Sequence, residues 1–432
     1  MKKQFLSVTA AALLFPLFSA YANTEHDAFL DAERKVKYAS YQEFKEITAQ
    51  LDHPLKPYVE QVYWQRHPDI EHQSEIERYL TIYQSTPLEW PVRKAWLQNL
   101  QKQNRKAAFI NNYRETTNTE LTCTYLQYQL DLGAPEQAIM RQVTNLWTVG
   151  KSQPEECDLL FSTWRKKGYM SQEQIWQRIT LSAQGGSQSL LPYLKTLLPK
   201  NEQYLADFYR KVRSDPSAVA GMYRYKHKTV KESEIAHYGI KRLIWRDKTL
   251  ALKAWEKLDK MFNYSDEQKA DVYYSFALAL ASRGHPEARF WLSKVPKDRQ
   301  DRKLMQWQLG NMLKTQDWSG IVAFFTGKEN LSLGQQYWLA YSLAQRGDTQ
   351  RAKAIWQIVA KERDYYGFLA AARLGLPIEL NNQPLLVSDK LMHEVANAPG
   401  FKRAKAMYEL ERFTSARREW NYLTSTSSGR EK

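Results

Sequence analysis

Between Arg210 and Lys260 the chain carries 14 Lys/Arg against six Asp/Glu. Tyr223, Tyr225, Tyr238 and Trp245 are interleaved there with basic residues. Aromatic faces can stack on sugar rings, and clustered cations attract anionic polymers. Arg224, Lys226, Lys228, Lys241, Arg242, Trp245 and Arg246 are therefore the candidate glycan-binding residues. The competing reading is a solvated basic helix pair whose aromatics are core. Little else in the chain suggests chemistry. The eight histidines are scattered, and His67 and His72 are not at the spacing of metal ligands on a helix. There is no H-E-x-x-H, G-x-S-x-G, Walker loop or G-x-G-x-x-G. The carboxylates mostly alternate with Lys and Arg, as on a solvated face. No catalytic, cofactor-binding or metal-ligating residue is assigned, and no cofactor is expected.

These residues need elements to hold them. The chain has 432 residues, long enough for two or three domains or one repeat array. Its 14 Trp and 26 Tyr are the large side chains that fill gaps between stacked helices. Met1–Ala22 reads as a secretory signal peptide: Lys2 and Lys3 lead, Phe5–Phe18 is apolar, and Ala20-Tyr21-Ala22 fits the cleavage pattern. No later run reaches the ~20 apolar residues of a membrane span, so an integral membrane protein is not expected. Removing the leader takes the net charge from +15 to +13. The partner implied is an anionic cell-wall polymer or lipid head groups, not nucleic acid. The two cysteines, Cys123 and Cys157, read as one disulfide in an oxidising compartment. That bridge would stabilise the fold by roughly 3–4 kcal/mol in the chain-entropy model. Two buried thiols are the alternative.

Helical signals follow one another from Asp27 onward. The capping pattern S-x-x-E/Q opens amphipathic stretches at Ser40–Glu43, Ser171–Gln174, Ser265–Gln268 and Ser332–Gln335. Prolines at 54, 57, 68, 87 and 91 divide the first hundred residues into short helices. Gln336–Leu376 reads as three helices, with Gly347 at the first turn. Leu121–Trp147 and Tyr273–Val295 repeat its pattern with Gly133 and Gly284. Degenerate helix pairs of this kind predict an all-α fold, an α-solenoid of superhelical, U-shaped form. Sustained period-2 alternation is missing. Gly185-Gly186 reads as a plain inter-helix loop. Pro377–Ser388 loses the helical period and marks an internal boundary. Residues 425–432 read as a polar, disordered tail.

Leu146–Trp164 (LWTVGKSQPEECDLLFSTW) resembles a segment of the large soluble lytic murein transglycosylases of Gram-negative bacteria. Its anchors are Gly150-Lys151-Ser152-Gln153-Pro154, Cys157-Asp158 and Leu160-Phe161. Cys123 falls where that family has the disulfide partner of Cys157. Arg363–Leu376 (RDYYGFLAAARLGL) is similar to a second family segment. Met407–Leu423 resembles the start of the linker domain through Ala416-Arg417 and Glu419-Trp420. The resemblance implies a ring built from a U-shaped α-superhelix, a helical linker domain and a C-terminal lysozyme-like domain. It implies cleavage of the β-1,4 bond between N-acetylmuramic acid and N-acetylglucosamine without water. One catalytic Glu would act as acid and then base, leaving a 1,6-anhydromuramoyl end.

The family's catalytic domain carries a Glu-Ser pair, then G-L-M-Q and A-Y-N-A-G motifs; the latter two do not occur here. Glu232-Ser233 lies inside the solenoid, and the catalytic role is not carried over to it. The expected organisation is a signal peptide over 1–22, a superhelical domain over 23–380, and the start of a truncated linker domain over 381–432. The expected function is periplasmic binding or scaffolding of peptidoglycan glycan strands without catalysis by this chain alone. The alternative is a stand-alone solenoid that binds protein partners such as other cell-wall proteins.

Overall fold

A computed structural model of the protein describes residues 16–384 and 386–426. The expected leader lies largely outside the described residues, and so does most of the tail beyond Ser425. Among the described residues, twenty-four α-helices run from Pro16–Lys35 to Phe413–Thr426, joined by short turns and 3-10 segments. No strand occurs among the described residues. The fold is all-α, and helices pack mainly on their neighbours in the chain, as in an α-solenoid.

Local chemistry explains where helices begin. All four anticipated capping boxes form, each with the Ser hydroxyl and the Glu or Gln side chain bonded reciprocally to backbone N–H groups. Each satisfies two donors that a helix start leaves orphaned. Gly133, Gly284 and Gly347 turn the three repeated pairs with φ of +86°, +64° and +87°. A side chain at such angles is strained, which is why glycine recurs there. Pro57 lies in the first turn of Lys56–Arg66, where its missing N–H costs nothing. Among the described residues between Leu374 and Asp389 no regular element forms, matching the loss of period at Pro377–Ser388.

The described chain divides into two compact units. The first comprises residues 16–147, 153–169 and 386–426. Its core joins Phe29, Val36, Leu55 and Trp96 to Met407 and Ala416 of the C-terminal helix pair. Helices Pro399–Glu409 and Phe413–Thr426 are thus built into the N-terminal core. Arg403 donates to both carboxylate oxygens of Glu419 at 3.0 Å, and Tyr58 donates to Glu419 at 2.6 Å. Arg412 grips both oxygens of Glu33 at 2.6 Å and lies over the Phe29 ring. Cys123 and Cys157 are fully buried in this unit and joined, with an S–S distance of 2.05 Å.

The second unit comprises residues 148–152 and 170–384. Its helix ends are clamped in series. The last carbonyls of a helix lack intrahelical partners. Here a side chain about one helix pair further on supplies the donor. Arg213 bonds the carbonyls of Ser182 and Ala183, Arg242 those of Val212 and Arg213, and Asn311 that of Ala281.

Gly185-Gly186 differs from the plain loop expected. A Cβ on Gly186 would meet the Gly150 carbonyl oxygen at 1.9 Å, and one on Gly150 would meet the Leu181 carbonyl oxygen at 2.6 Å. Ser187 donates its N–H to that Gly150 carbonyl at 2.7 Å. The two glycines let one backbone lie directly on another, and no single stretch of sequence shows this. Gly186→Ala is expected to destabilise the chain by about 1–3 kcal/mol, because backbone rather than a flexible tip must give way. A thermal melt checks it. An unchanged midpoint would mean that the contact yields freely.

Candidate glycan-binding surface

The basic segment starts with helix Gln203–Ser214, passes through 3-10 turns at Pro216–Ala220 and Met222–Arg224, and enters helix Val230–Arg246. Tyr225 anchors the turns. It is buried, and its hydroxyl donates to the Val219 carbonyl at 2.8 Å. Burial pushes its phenol well above the ordinary tyrosine range. Thr229 caps the helix in a fifth capping box, closed by Glu232.

Glu232 is fully buried, and its carboxylate gathers the loop before it. It accepts from the backbone N–H of Lys226 at 2.7 Å, His227 at 3.3 Å and Thr229 at 2.8 Å, and from the Tyr204 hydroxyl at 3.0 Å. These bonds occupy both oxygens. The residue therefore positions a loop, and that loop carries part of the candidate site.

The candidate residues fall into two groups. Tyr223 is largely exposed, with the Arg224 guanidinium 4.9 Å from its ring centre. Lys226 sits 5.0 Å from the ring centre of Tyr204. Together with Asp207, Phe208 and Lys211 they line a depression of about 250 Å³. Lys228 follows, exposed, with φ +52°. The second group lies at the far end of Val230–Arg246. A 17-residue helix is about 25 Å long. One sugar ring cannot touch both groups, whereas a strand of several units can.

The second group is more committed to the fold. Arg242 clamps the end of Gln203–Ser214 and covers the Tyr238 ring. This assigns Arg242 a structural role beside the one expected. Lys241 lies 3.4 Å from Asp271, and Arg246 lies 3.6 Å from Asp215. Trp245 is half exposed and free to offer a ring face. His237, on the same helix, is held down to about 4, chiefly by burial and also by Lys241. It is thus neutral at neutral pH and adds no charge. Tyr204 and Lys211 belong to the first group but escaped the sequence reading. Their seven-residue spacing on Gln203–Ser214 places them on one face, a signal that could have found them.

No described helix is long and apolar enough to cross a membrane, and no described group of His, Cys, Asp or Glu could hold a metal ion.

A helix-pair array with a basic, aromatic surface defines the class: an all-α solenoid. The family model for the soluble lytic murein transglycosylase L domain matches residues 394–432. The soluble lytic murein transglycosylase of Escherichia coli K12 is 24% identical over 390 residues, covering 87% of this chain and 59% of the relative. That of Salmonella typhimurium LT2 is 25% identical over 318 residues, covering 72% and 48%. Among solved structures, an inactive mutant of the lytic transglycosylase Slt from Pseudomonas aeruginosa superposes with a TM-score of 0.80 at 26% identity. It covers 94% of this chain and 66% of that one. A 70-kDa soluble lytic transglycosylase in complex with bulgecin A gives 0.78 at 21% identity, covering 95% and 67%. The chain is similar to the soluble lytic murein transglycosylases along most of its length, and it spans about three fifths of the length of the E. coli relative.

Proposed function

We propose that this chain is a periplasmic, peptidoglycan-associated protein that binds or scaffolds glycan strands. Residues 23–380 form its superhelical domain, and residues 381–432 form the start of its linker domain, preceded by a signal peptide over 1–22. Kinship with murein transglycosylases along 87% of the chain carries this reading. The basic surface around Tyr223, Arg224 and Lys226 adds support, since its cations and ring faces suit an anionic polysaccharide. Bond cleavage is assigned to no residue of this chain. An oxidised Cys123–Cys157 pair accords with the periplasm.

Co-sedimentation with purified sacculi tests the proposal. Retention should fall as salt rises. The triple variant Arg224→Gln, Lys226→Gln, Lys228→Gln should lower affinity about tenfold, at about 0.5 kcal/mol per exposed charge. Arg242 is left in place in such a test, because its loss uncaps a helix. Equal retention of variant and wild type would sink this surface as the site.

A second reading, a solenoid that binds a protein partner, has one specific observation behind it. Phe401, Tyr408, Phe413 and Trp420 line an apolar groove of about 610 Å³ on the C-terminal helix pair. No retention on sacculi, with capture of another purified cell-wall protein, would favour it.

A further inference from the structure

The second unit contains a cleft of about 700 Å³, lined from helices Ala288–Lys294, Arg302–Lys314 and Trp318–Phe325 and the turns beside them. Leu292, Met305, Met312 and Phe324 give it an apolar floor. Lys297 and Lys328 both line it. Lys328 sits 4.2 Å from the ring centre of Phe324 and donates to Gln300 Oε1 at 3.0 Å. The Gln300 amide is itself fixed, since its Nε2 donates to the Val295 carbonyl at 3.0 Å. Lys328 is thus aimed by a neutral acceptor, which orients the ammonium without cancelling its charge.

Among the described residues, no carboxylate lies within ion-pair distance of Lys297 or Lys328. Arg289, also lining the cleft, is neutralised by Asp317 at 2.6 Å. Glu329 lines the cleft as well, without an ion pair to either lysine. Burial and the charge of Lys297 hold Lys328 below the ordinary lysine range. Lys328 is half-buried beside the apolar floor and Lys297 is exposed at the rim, so the partial desolvation of Lys328 and its repulsion from Lys297 are both relieved by an anion bound between them. The volume falls within the usual range for a small-molecule site, about 300–1,000 Å³.

We propose that this cleft binds a carboxylate-bearing ligand of about disaccharide or dipeptide size. Its carboxylate sits between Lys297 and Lys328, and its apolar face lies on Phe324 and Met305. Sugar acids and peptide C-termini share this chemistry. The choice of probes rests on the cell-wall reading above, whereas the site itself does not.

Calorimetric titration of the whole chain with three probes tests it: N-acetylmuramic acid, acetyl-D-alanyl-D-alanine and neutral N-acetylglucosamine. At least one carboxylate probe should bind ten or more times tighter than the neutral sugar (about 1.4 kcal/mol), and the one that does identifies the source. The double variant Lys297→Gln, Lys328→Gln should abolish that preference while melting no lower than wild type, since it removes a repulsion. Lack of preference in the wild type, or a preference that survives in the variant, would overturn the proposal. Sacculus sedimentation on the same preparations separates the two readings. Retention without carboxylate preference fails the cleft alone, and carboxylate preference without retention fails the wall reading alone.

Discussion

Arg403→Ala is expected to lower the stability of the first unit by about 3–5 kcal/mol, the usual result of removing one partner of a buried ion pair. Glu419 has no exposed surface and Arg403 very little. Truncating Arg403 leaves the carboxylate with the Tyr58 hydroxyl as its remaining partner. Water cannot replace the guanidinium there without opening the packing of the two C-terminal helices. The outer pair, Arg412 with Glu33, is partly exposed, so Arg412→Ala should cost less, about 1 kcal/mol. Replacing the inner pair together, Arg403→Met with Glu419→Leu and Tyr58→Phe, should recover most of the loss, because no charge or hydroxyl is then stranded. Urea unfolding of the four proteins checks this ordering. If Arg403→Ala unfolds within about 0.5 kcal/mol of wild type, the pair does not hold the helices together.

The contrast between the caps and this pair shows what could be read from the chain. A capping box spans four residues and is complete in itself, so all four S-x-x-E/Q matches form as expected. The same holds for Gly133, Gly284 and Gly347, whose positive φ is dictated by the turn each one makes. Tyr58 and Glu419 are 361 positions apart, and only the folded core brings them together. Ala416-Arg417 and Glu419-Trp420 drew notice through a family resemblance, yet nothing local marks Glu419 as buried. The basic surface was legible as composition but not as geometry. Tyr223 and Tyr225 are two residues apart, and one is exposed while the other is core, because a 3-10 turn there breaks any simple period. Arg242 looks like its neighbours in sequence and differs from them only in facing a helix end.

Glu232 is the position where a wrong local reading was easiest. Its neighbour Ser233 makes a Glu-Ser pair, but T-x-x-E at Thr229–Glu232 is the signature that counts, as good as the four S-x-x-E/Q boxes. Glu232→Ala is expected to cost about 3 kcal/mol, since it strips the acceptor from the N–H groups of Lys226, His227 and Thr229 and from the Tyr204 hydroxyl. Part of that cost is recovered because the loop is exposed and its N–H groups can turn to water. Glu232→Gln should cost less, about 1–2 kcal/mol, because one oxygen still accepts while the new NH₂ faces donors. Hydrogen exchange gives the sharper readout. The amides of Lys226 and Thr229 should lose protection in Glu232→Ala, while those of Ile240 and Leu243, deep in the same helix, keep theirs. Binding should weaken in parallel, because this loop carries Lys226 and Lys228, and a loosened loop must be ordered again before those cations can meet a strand. Unchanged protection at Lys226 and Thr229 would show that the carboxylate does not hold the loop. Lost protection with unchanged sacculus binding would show that the loop is not where the glycan binds.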